Sequence, residues 1–290
     1  MRHSFFALFA ILSAFMHCHA QNISMDMSKI GPMQFASDLN VLDTAQTRVF
    51  YQLDFKKDST KNEMTTAQTV LLIGKTHTLF TDFYQMLSDS IAEDADKHKE
   101  KQTAAIGMMM NLWKQRKYEQ WNICNLQNGL MTKQEKAGTT AYQYDEPTPI
   151  IDWQVLNRDT VIDGFACGTA TCHYRGRDYV AWYLKDIALP FGPYVFYGLP
   201  GLVAILKDTK DNYRFTLNGL EENLPFLNYI YYSDEALFQK GSREKIRATI
   251  RRVYEHPVEA MLQDPGLKVD ADVANKLDRS ADPYNPLELE

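Results

Sequence analysis

Polar and apolar residues alternate from Arg48 to Phe55, where Val49, Tyr51, Leu53 and Phe55 stand against Gln52 and Asp54. A period of two predicts a strand there. Residues 21–47 carry little periodicity before it, and Lys56 to Thr65 after it is polar and reads as a loop. Thr69 to Ile73 reads as a second strand closed by Gly74, and Thr78-Leu79-Phe80 continues in extended form. The pattern then changes period. Ser88 to Lys117 has no proline and is rich in Ala, Glu, Lys, Gln and Met, with Ile91, Ala95, Ala105, Met109, Leu112 and Trp113 at helical spacing. This predicts a helical insertion near residues 88–117, solvent-facing over the charged run Glu93 to Lys101.

From Tyr118 to Phe215 short strands return. Trp153 to Leu156 and Val161 to Tyr174 flank a turn read at Asn157-Arg158-Asp159. In Arg175-Gly176-Arg177-Asp178, a glycine placed first in a two-residue loop suits a type II′ hairpin. That register sets Arg175 opposite Asp178, Cys172 opposite Ala181 and His173 opposite Val180. Tyr179 to Leu184 is the returning strand, Pro190 to Pro193 breaks the pattern, and Leu202 to Leu206 is apolar enough for burial on both faces. After Asn228 the chain reads as helical. Ser242 is the expected N-cap of a stripe through Ile246, Ile250, Val253 and Tyr254, and Pro257 ends it. Asp264 to Glu290 reads as a polar, acidic tail. The whole predicts an α+β, β-rich fold: a curved antiparallel sheet or partly open barrel with a helical insertion and C-terminal helices, one domain over residues 21–290.

The first twenty residues read differently. Arg2 and His3 precede an apolar run, Phe5 to Phe15, of signal-peptide length and too short to span a bilayer. Cys18-His19-Ala20 places small residues at −3 and −1, so cleavage is expected after Ala20. A lipidated Cys18 is the alternative, which Met16-His17 fits poorly. Removing residues 1–20 deletes one Arg and no acid, leaving 30 basic against 37 acidic residues, a mature charge of −7. No basic excess remains, so nucleic acid is not an expected partner. No later stretch approaches ~18 consecutive apolar residues, so no transmembrane anchor is expected in the mature chain. The expected location is the periplasm or an outer-membrane-associated one.

The common catalytic signatures are missing: there is no G-x-S-x-G, H-E-x-x-H, Walker A loop or C-x-x-C. Cys172-His173 has the residue types of a nucleophile beside its base, but neighbours on a strand point to opposite faces. A metal site from Cys167, Cys172 and His173 fails similarly, since Cys167 and His173 lie roughly 20 Å apart in extended chain. Met108-Met109-Met110 points three ways around a helix and reads as packing. No metal, cofactor or catalytic residue is assigned. Cys167 and Cys172, five apart, span roughly 16 Å and cannot bridge without a fold-back. An exported chain favours a bridge from Cys124 to one of them; three buried thiols are the alternative.

The stretch Trp153 to Asp208 resembles the GLPGLI family of exported proteins of Gram-negative bacteria. The motif stands as Gly198-Leu199-Pro200-Gly201-Leu202-Val203, with valine last. Upstream, Trp153, Gly164, Cys167, Ala170, Arg175-Gly176-Arg177, Ala181-Trp182-Tyr183 and Gly192-Pro193 are similar to the family's spaced pattern, as is the ending Asn285-Pro286-Leu287-Glu288-Leu289. Leu71-Leu72-Ile73-Gly74 and Thr78-Leu79-Phe80 add weaker similarity. The resemblance implies export and this fold, but no activity. It also implies that Cys167 is the bridging partner of Cys124, leaving Cys172 free. Physically, Pro200-Gly201 fits a type II turn with positive φ at Gly201.

The function expected is an exported envelope protein that binds rather than catalyses. It would hold an apolar or peptide-like ligand in the curved sheet, or assist an outer-membrane transport system through an envelope partner. Trp153, Trp182 and Tyr183 are the candidate binding residues, with core packing as the plainer account of all three. The alternatives are a hydrolase using carboxylates such as Asp152, Asp163, Asp178 or Asp186, and a carbohydrate-binding accessory module using exposed aromatics.

Overall fold

In a computed structural model, the described residues are 39–98, 101–138, 140–232, 238–256, 258–259 and 284–290. The expected signal peptide with Cys18, Pro257 and the tail up to residue 283 lie outside them.

Fourteen strands and three helices are formed by the described residues. The strands are β1 (Asn40–Thr44), β2 (Thr47–Phe55), β3 (Thr65–Ile73), β4 (His77–Asp82), β5 (Gln120–Asn125), β6 (Leu130–Ala137) and β7 (Thr140–Pro147), then β8 (Gln154–Ile162), β9 (Phe165–Tyr174), β10 (Arg177–Leu184), β11 (Val203–Asp208), β12 (Tyr213–Glu222), β13 (Tyr229–Tyr232) and β14 (Phe238–Lys240). The helices are α1 (Phe83–Lys97), α2 (Gln102–Gln115) and α3 (Arg243–Glu255).

Twelve strands make one sheet in the order β14-β7-β6-β5-β4-β3-β2-β12-β11-β10-β9-β8; β1 and β13 form a separate ribbon. Every pairing in the large sheet is antiparallel except β14 with β7. Two meanders, β2 to β7 and β8 to β12, are joined where β2 pairs with β12. The connection from β7 to β8 shows that this sheet is curved. The two strands are ten places apart in the sheet, about 48 Å if it were flat. The seven residue steps from Pro147 to Gln154 span about 25 Å at full stretch. The sheet must therefore curl until its ends approach, and it does so without closing into a barrel.

Alternation along each strand sorts residues between the two faces. Val49, Tyr51 and Leu53 of β2 join Phe80, Met131, Ala170, Tyr179, Ala181 and Phe215 in the main inner cluster. Val70, Leu72, Leu79, Trp121 and Ile123 point outward and are covered by Met86 of α1 and by β13. The interior is filled by the irregular segment 185–202, of which Tyr194, Val195, Phe196 and Leu199 are almost fully buried. Phe196 meets the rings of Trp153, Tyr174 and Tyr179, the last at 4.6 Å. Ile246 and Ile250 of α3 pack on Tyr142 and Tyr144 of β7.

The helical insertion begins earlier than its periodicity suggests, because Asp82 caps it. Its buried carboxylate accepts from the amides of Tyr84 and Gln85 at the start of α1 and of Lys117 and Tyr118 after α2. One side chain thus ties together both ends of the insertion. Between α1 and α2 the chain breaks at His98, in the exposed, charged region. Met109 is buried while Met108 is half exposed, as expected of packing. Ser242 caps α3, accepting from the Lys245 amide.

Several expectations are corrected. The segment after Asn228 forms β13 and β14 before α3 begins, since Tyr229–Tyr232 pairs with β1. Asn157-Arg158 is not a turn but a bulge within β8, with Leu156 opposite Thr169 and Asp159 opposite Gly168. The turn lies at Asp163-Gly164, both at positive φ. The β9–β10 hairpin turns one residue earlier than expected. Arg175 and Gly176 both have positive φ, a type I′ geometry. Tyr174 therefore faces Arg177, His173 faces Asp178 and Cys172 faces Tyr179. In the Gly198–Val203 motif, positive φ is found at Gly198 rather than Gly201. Gly201 instead presses against the main chain at the end of β10. The expected Cys124–Cys167 bridge is not formed; Cys124, Cys167 and Cys172 are buried free thiols. Cys124 on β5 and Cys167 on β9 are seven places apart in the sheet, and Tyr197 of the filling segment faces the Cys124 sulfur.

Candidate functional site

Inside the curl, the inward positions of β6 and β7 carry charge. Met131, Lys133 and Glu135 face the same way as Tyr142, Tyr144 and Glu146, and all six are buried. Burying charge costs several kcal/mol per ion unless it is paired and hydrogen-bonded. The partners come from far along the chain: Arg175 at the hairpin tip, Arg243 and Arg247 on α3, and Glu288. Glu146 lies 3.1 Å from Lys133, 3.0 Å from Arg175 and 3.3 Å from Arg243. Glu135 pairs with Arg247 at 3.2 Å.

Residues 284–290 lie across this ground, and their main chain is read residue by residue. The Asn285 carbonyl accepts from the Tyr213 hydroxyl. That of Pro286 accepts from Arg177, and that of Leu287 from the Tyr179 hydroxyl at 3.1 Å. Arg247 donates to the Glu288 carbonyl at 3.1 Å, Arg251 to that of Leu289 at 3.5 Å, and Arg243 to that of Glu290. The Leu289 amide donates to the Arg175 carbonyl. Six consecutive main-chain oxygens are thus met by side-chain donors from β10, β12 and α3. The three α3 arginines stand at i, i+4 and i+8, on one face of the helix. Arg177 is itself fixed by Asp208, whose carboxylate also accepts from the amides of Asn212 and Tyr213.

Two side chains of the segment enter closed pockets. Leu287 is buried in the main inner cluster. The Glu288 carboxylate, 1% exposed, accepts from Lys133 and from the hydroxyls of Tyr194 at 2.6 Å and Tyr174 at 3.0 Å on one oxygen, and from Arg243 at 2.8 Å on the other. Burial alone would push this carboxyl up; Lys133, Tyr194 and Arg243 reverse that and hold it well below the usual carboxylate range. Asn285 is held at both ends of its amide, donating to the Lys56 carbonyl at 2.7 Å and accepting from Arg177 at 2.7 Å. Tyr284 lies against Tyr254 of α3.

The candidate residues from the sequence lie elsewhere. Trp153 is half-buried and donates from its indole to the Tyr197 carbonyl at 2.8 Å. Tyr183 is buried over Gly168, and Trp182 is half-buried on the other face of β10. They pack the sheet and the filling segment, and do not converge on one surface. Asp152, Asp163, Asp178 and Asp186 are exposed. Asp178 holds His173 at 2.7 Å beside a surface depression of about 260 Å³ that also touches Thr171 and Gln154. Cys172 gives that histidine no nucleophile: burial pushes its thiol up to about 12. Among the described residues no three metal-ligating side chains converge.

The inner-face site was hidden from sequence patterning because Thr132-Lys133-Gln134-Glu135 reads as a solvated run. The signal that touched it was the terminal Asn285-Pro286-Leu287-Glu288-Leu289, singled out by resemblance alone.

No protein-family profile matches the chain, and no curated protein matches it. Among solved structures it is similar to PNGF-II in two crystal forms, at 13% and 12% identity with TM-scores of 0.45 and 0.44 over 71% and 70% of this chain. It spans about a third of those chains (33% and 32%). A DUF1329 family protein from Desulfovibrio piger ATCC 29098 is similar at 9% identity and a TM-score of 0.29, over 63% of this chain and 88% of that one.

Proposed function

We propose that this chain is an exported, non-enzymatic binding or accessory protein whose curled sheet holds an extended polypeptide along its inner face, residues 284–290 being the occupant seen here. The observation that carries the reading is the run of six main-chain oxygens, Asn285 to Glu290, each met by a side-chain donor. Main-chain recognition gives affinity for an extended segment, and the Leu287 and Glu288 pockets add selectivity. Export, with residues 1–20 removed after Ala20, is supported by the apolar run Phe5 to Phe15 and by the resemblance to the GLPGLI family. Among the described residues no helix is long and apolar enough to cross a membrane. In this reading the partner is a protein of the same compartment, and an outer-membrane transport complex is the class that fits.

The test converts the covalent occupant into a free one. A site for a specific protease is inserted after Gly266, outside the described residues, and the folded protein is cut there. A fluorescent peptide with the sequence of residues 284–290 is expected to replace the resident fragment and to bind with a dissociation constant of about 10 μM or below. A scrambled peptide is expected not to bind. A cut protein that keeps its fragment and takes up no labelled peptide, or that unfolds on dilution, shows instead that the segment is a fixed part of the core.

A further inference from the structure

Resting on that reading, we infer that the groove selects an acidic partner peptide, one with an apolar residue followed by a carboxylate in the Leu287-Glu288 register, and that residues 284–290 are a placeholder which such a peptide displaces. The argument is charge complementarity. Without the segment, the buried carboxylates paired with Lys133, Arg175, Arg243 and Arg247 among the described residues are Glu135 and Glu146, while the exposed Glu244 acts on Arg243 and Arg175 from the surface. Four buried or half-buried cations against two buried carboxylates leave the groove short of negative charge, and an anionic occupant restores it.

The pocket chemistry is specific to a carboxylate. Every group converging on Glu288 donates: Lys133, the Tyr174 and Tyr194 hydroxyls, and Arg243. Tyr194 is oriented to donate because its oxygen accepts from Lys133 at 2.8 Å. A glutamine at this place would turn an NH₂ group toward donors and leave Lys133 without its closest counter-charge. The preceding residue must be apolar, since Leu287 is 3% exposed within the inner cluster. A partner must also outcompete the resident segment. Tyr284 lies against Tyr254 at the end of α3, with ring centroids 5.1 Å apart, so the segment is anchored beside that helix. Covalent attachment makes the resident segment's rebinding intramolecular, which a free peptide must outcompete. The intact protein is therefore closed to weak ligands and open to strong or multivalent acidic ones.

Fluorescence titrations on the cut protein decide the matter. The peptide of residues 284–290 is compared with the same peptide carrying Glu288→Gln or Leu287→Ser. The expected result is binding weaker by about 100-fold for Glu288→Gln and about 30-fold for Leu287→Ser. The uncut protein is expected to bind the unaltered peptide about 100-fold more weakly than the cut protein. Equal binding of the Glu288→Gln peptide overturns the carboxylate selection while leaving peptide binding intact. Equal affinity of cut and uncut protein overturns the placeholder role. Failure of the unaltered peptide itself to bind overturns the proposed function, a distinct outcome.

Discussion

Gly201→Ala is expected to destabilise the protein by about 3 kcal/mol or more, and Gly201→Val by more again. A Cβ at this position would lie 1.8 Å from the carbonyl oxygen of Leu184 and 3.1 Å from that of Ile187. Both are main-chain atoms, so no rotamer relieves the clash. The strand end cannot retreat either, because Leu184 donates to the Leu202 carbonyl at 2.8 Å and Leu202 to that of Ile187 at 3.0 Å. Gly198 offers the contrast within the same motif. Its φ of +94° strains any side chain, yet a Cβ there meets nothing closer than Trp153 at 4.0 Å. Gly198→Ala should therefore cost only about 1–2 kcal/mol. Urea midpoints of the two variants separate crowding from backbone strain. An unchanged midpoint for Gly201→Ala would sink this account of the motif.

Glu288→Ala in the uncut protein is expected to cost about 3–5 kcal/mol, the usual loss when one member of a buried ion pair is removed. Lys133 is 6% exposed and keeps Glu146, but loses its closer counter-charge. The pH dependence follows from the direction of the Glu288 shift. The folded carboxyl is held below its unfolded value, so its contribution is fully present above about pH 4.3 and is lost as pH falls from there through the folded value. Glu135 and Asp82 work in the opposite direction, since burial raises both. The Glu288 part is thus read as the difference between wild type and Glu288→Gln. That difference should be flat from about pH 5 to 8 and shrink below about pH 4. A difference independent of pH down to acid unfolding would show that the carboxylate charge does not act there.

What could be read from the sequence was whatever depends on neighbours in the chain. The alternation in Arg48–Phe55, the helical character around residues 88–117, the buried strand at Leu202–Leu206 and the Ser242 cap all follow from local pattern. The β-rich, mainly antiparallel character of the fold followed from the sum of such strands, whereas its curl depends on the strand order. Positions set by one residue's φ were harder. Arg175 adopts positive φ beside Gly176, and that shift by one residue moved every cross-strand pair in the hairpin. The groove could not be seen at all. Lys133, Glu146, Arg175, Arg243 and Glu288 are each ordinary surface residues by type, and they are buried or half-buried only because a curled sheet, a helix and a distant segment bring them together. Periodicity carries no information on such contacts, which is also why a cysteine bridge was expected between strands that the filling segment holds apart.

The join between the two meanders also sets the order in which this protein can assemble. Strands β3 to β7 and β8 to β11 find partners next to them in sequence, so they can pair within short loops. The β2 edge must wait for β12, which the chain supplies only after both meanders are made. Closing that seam bears a large loop entropy before any contact rewards it, which makes it the slow step of a high-contact-order fold. Until then Val49, Tyr51 and Leu53 lie on an edge strand paired on one side only, an opening for association with other chains. In pulse-labelled hydrogen exchange, the β2 amides that bond β3 should be protected before the alternate amides that bond β12. Simultaneous protection would mean that the seam forms with the meanders. A chain that delivers the second neighbour of β2 so late has a built-in delay between synthesis and closure of the sheet, and in the proposed exported protein that delay would be the interval in which passage as an unfolded thread is still open.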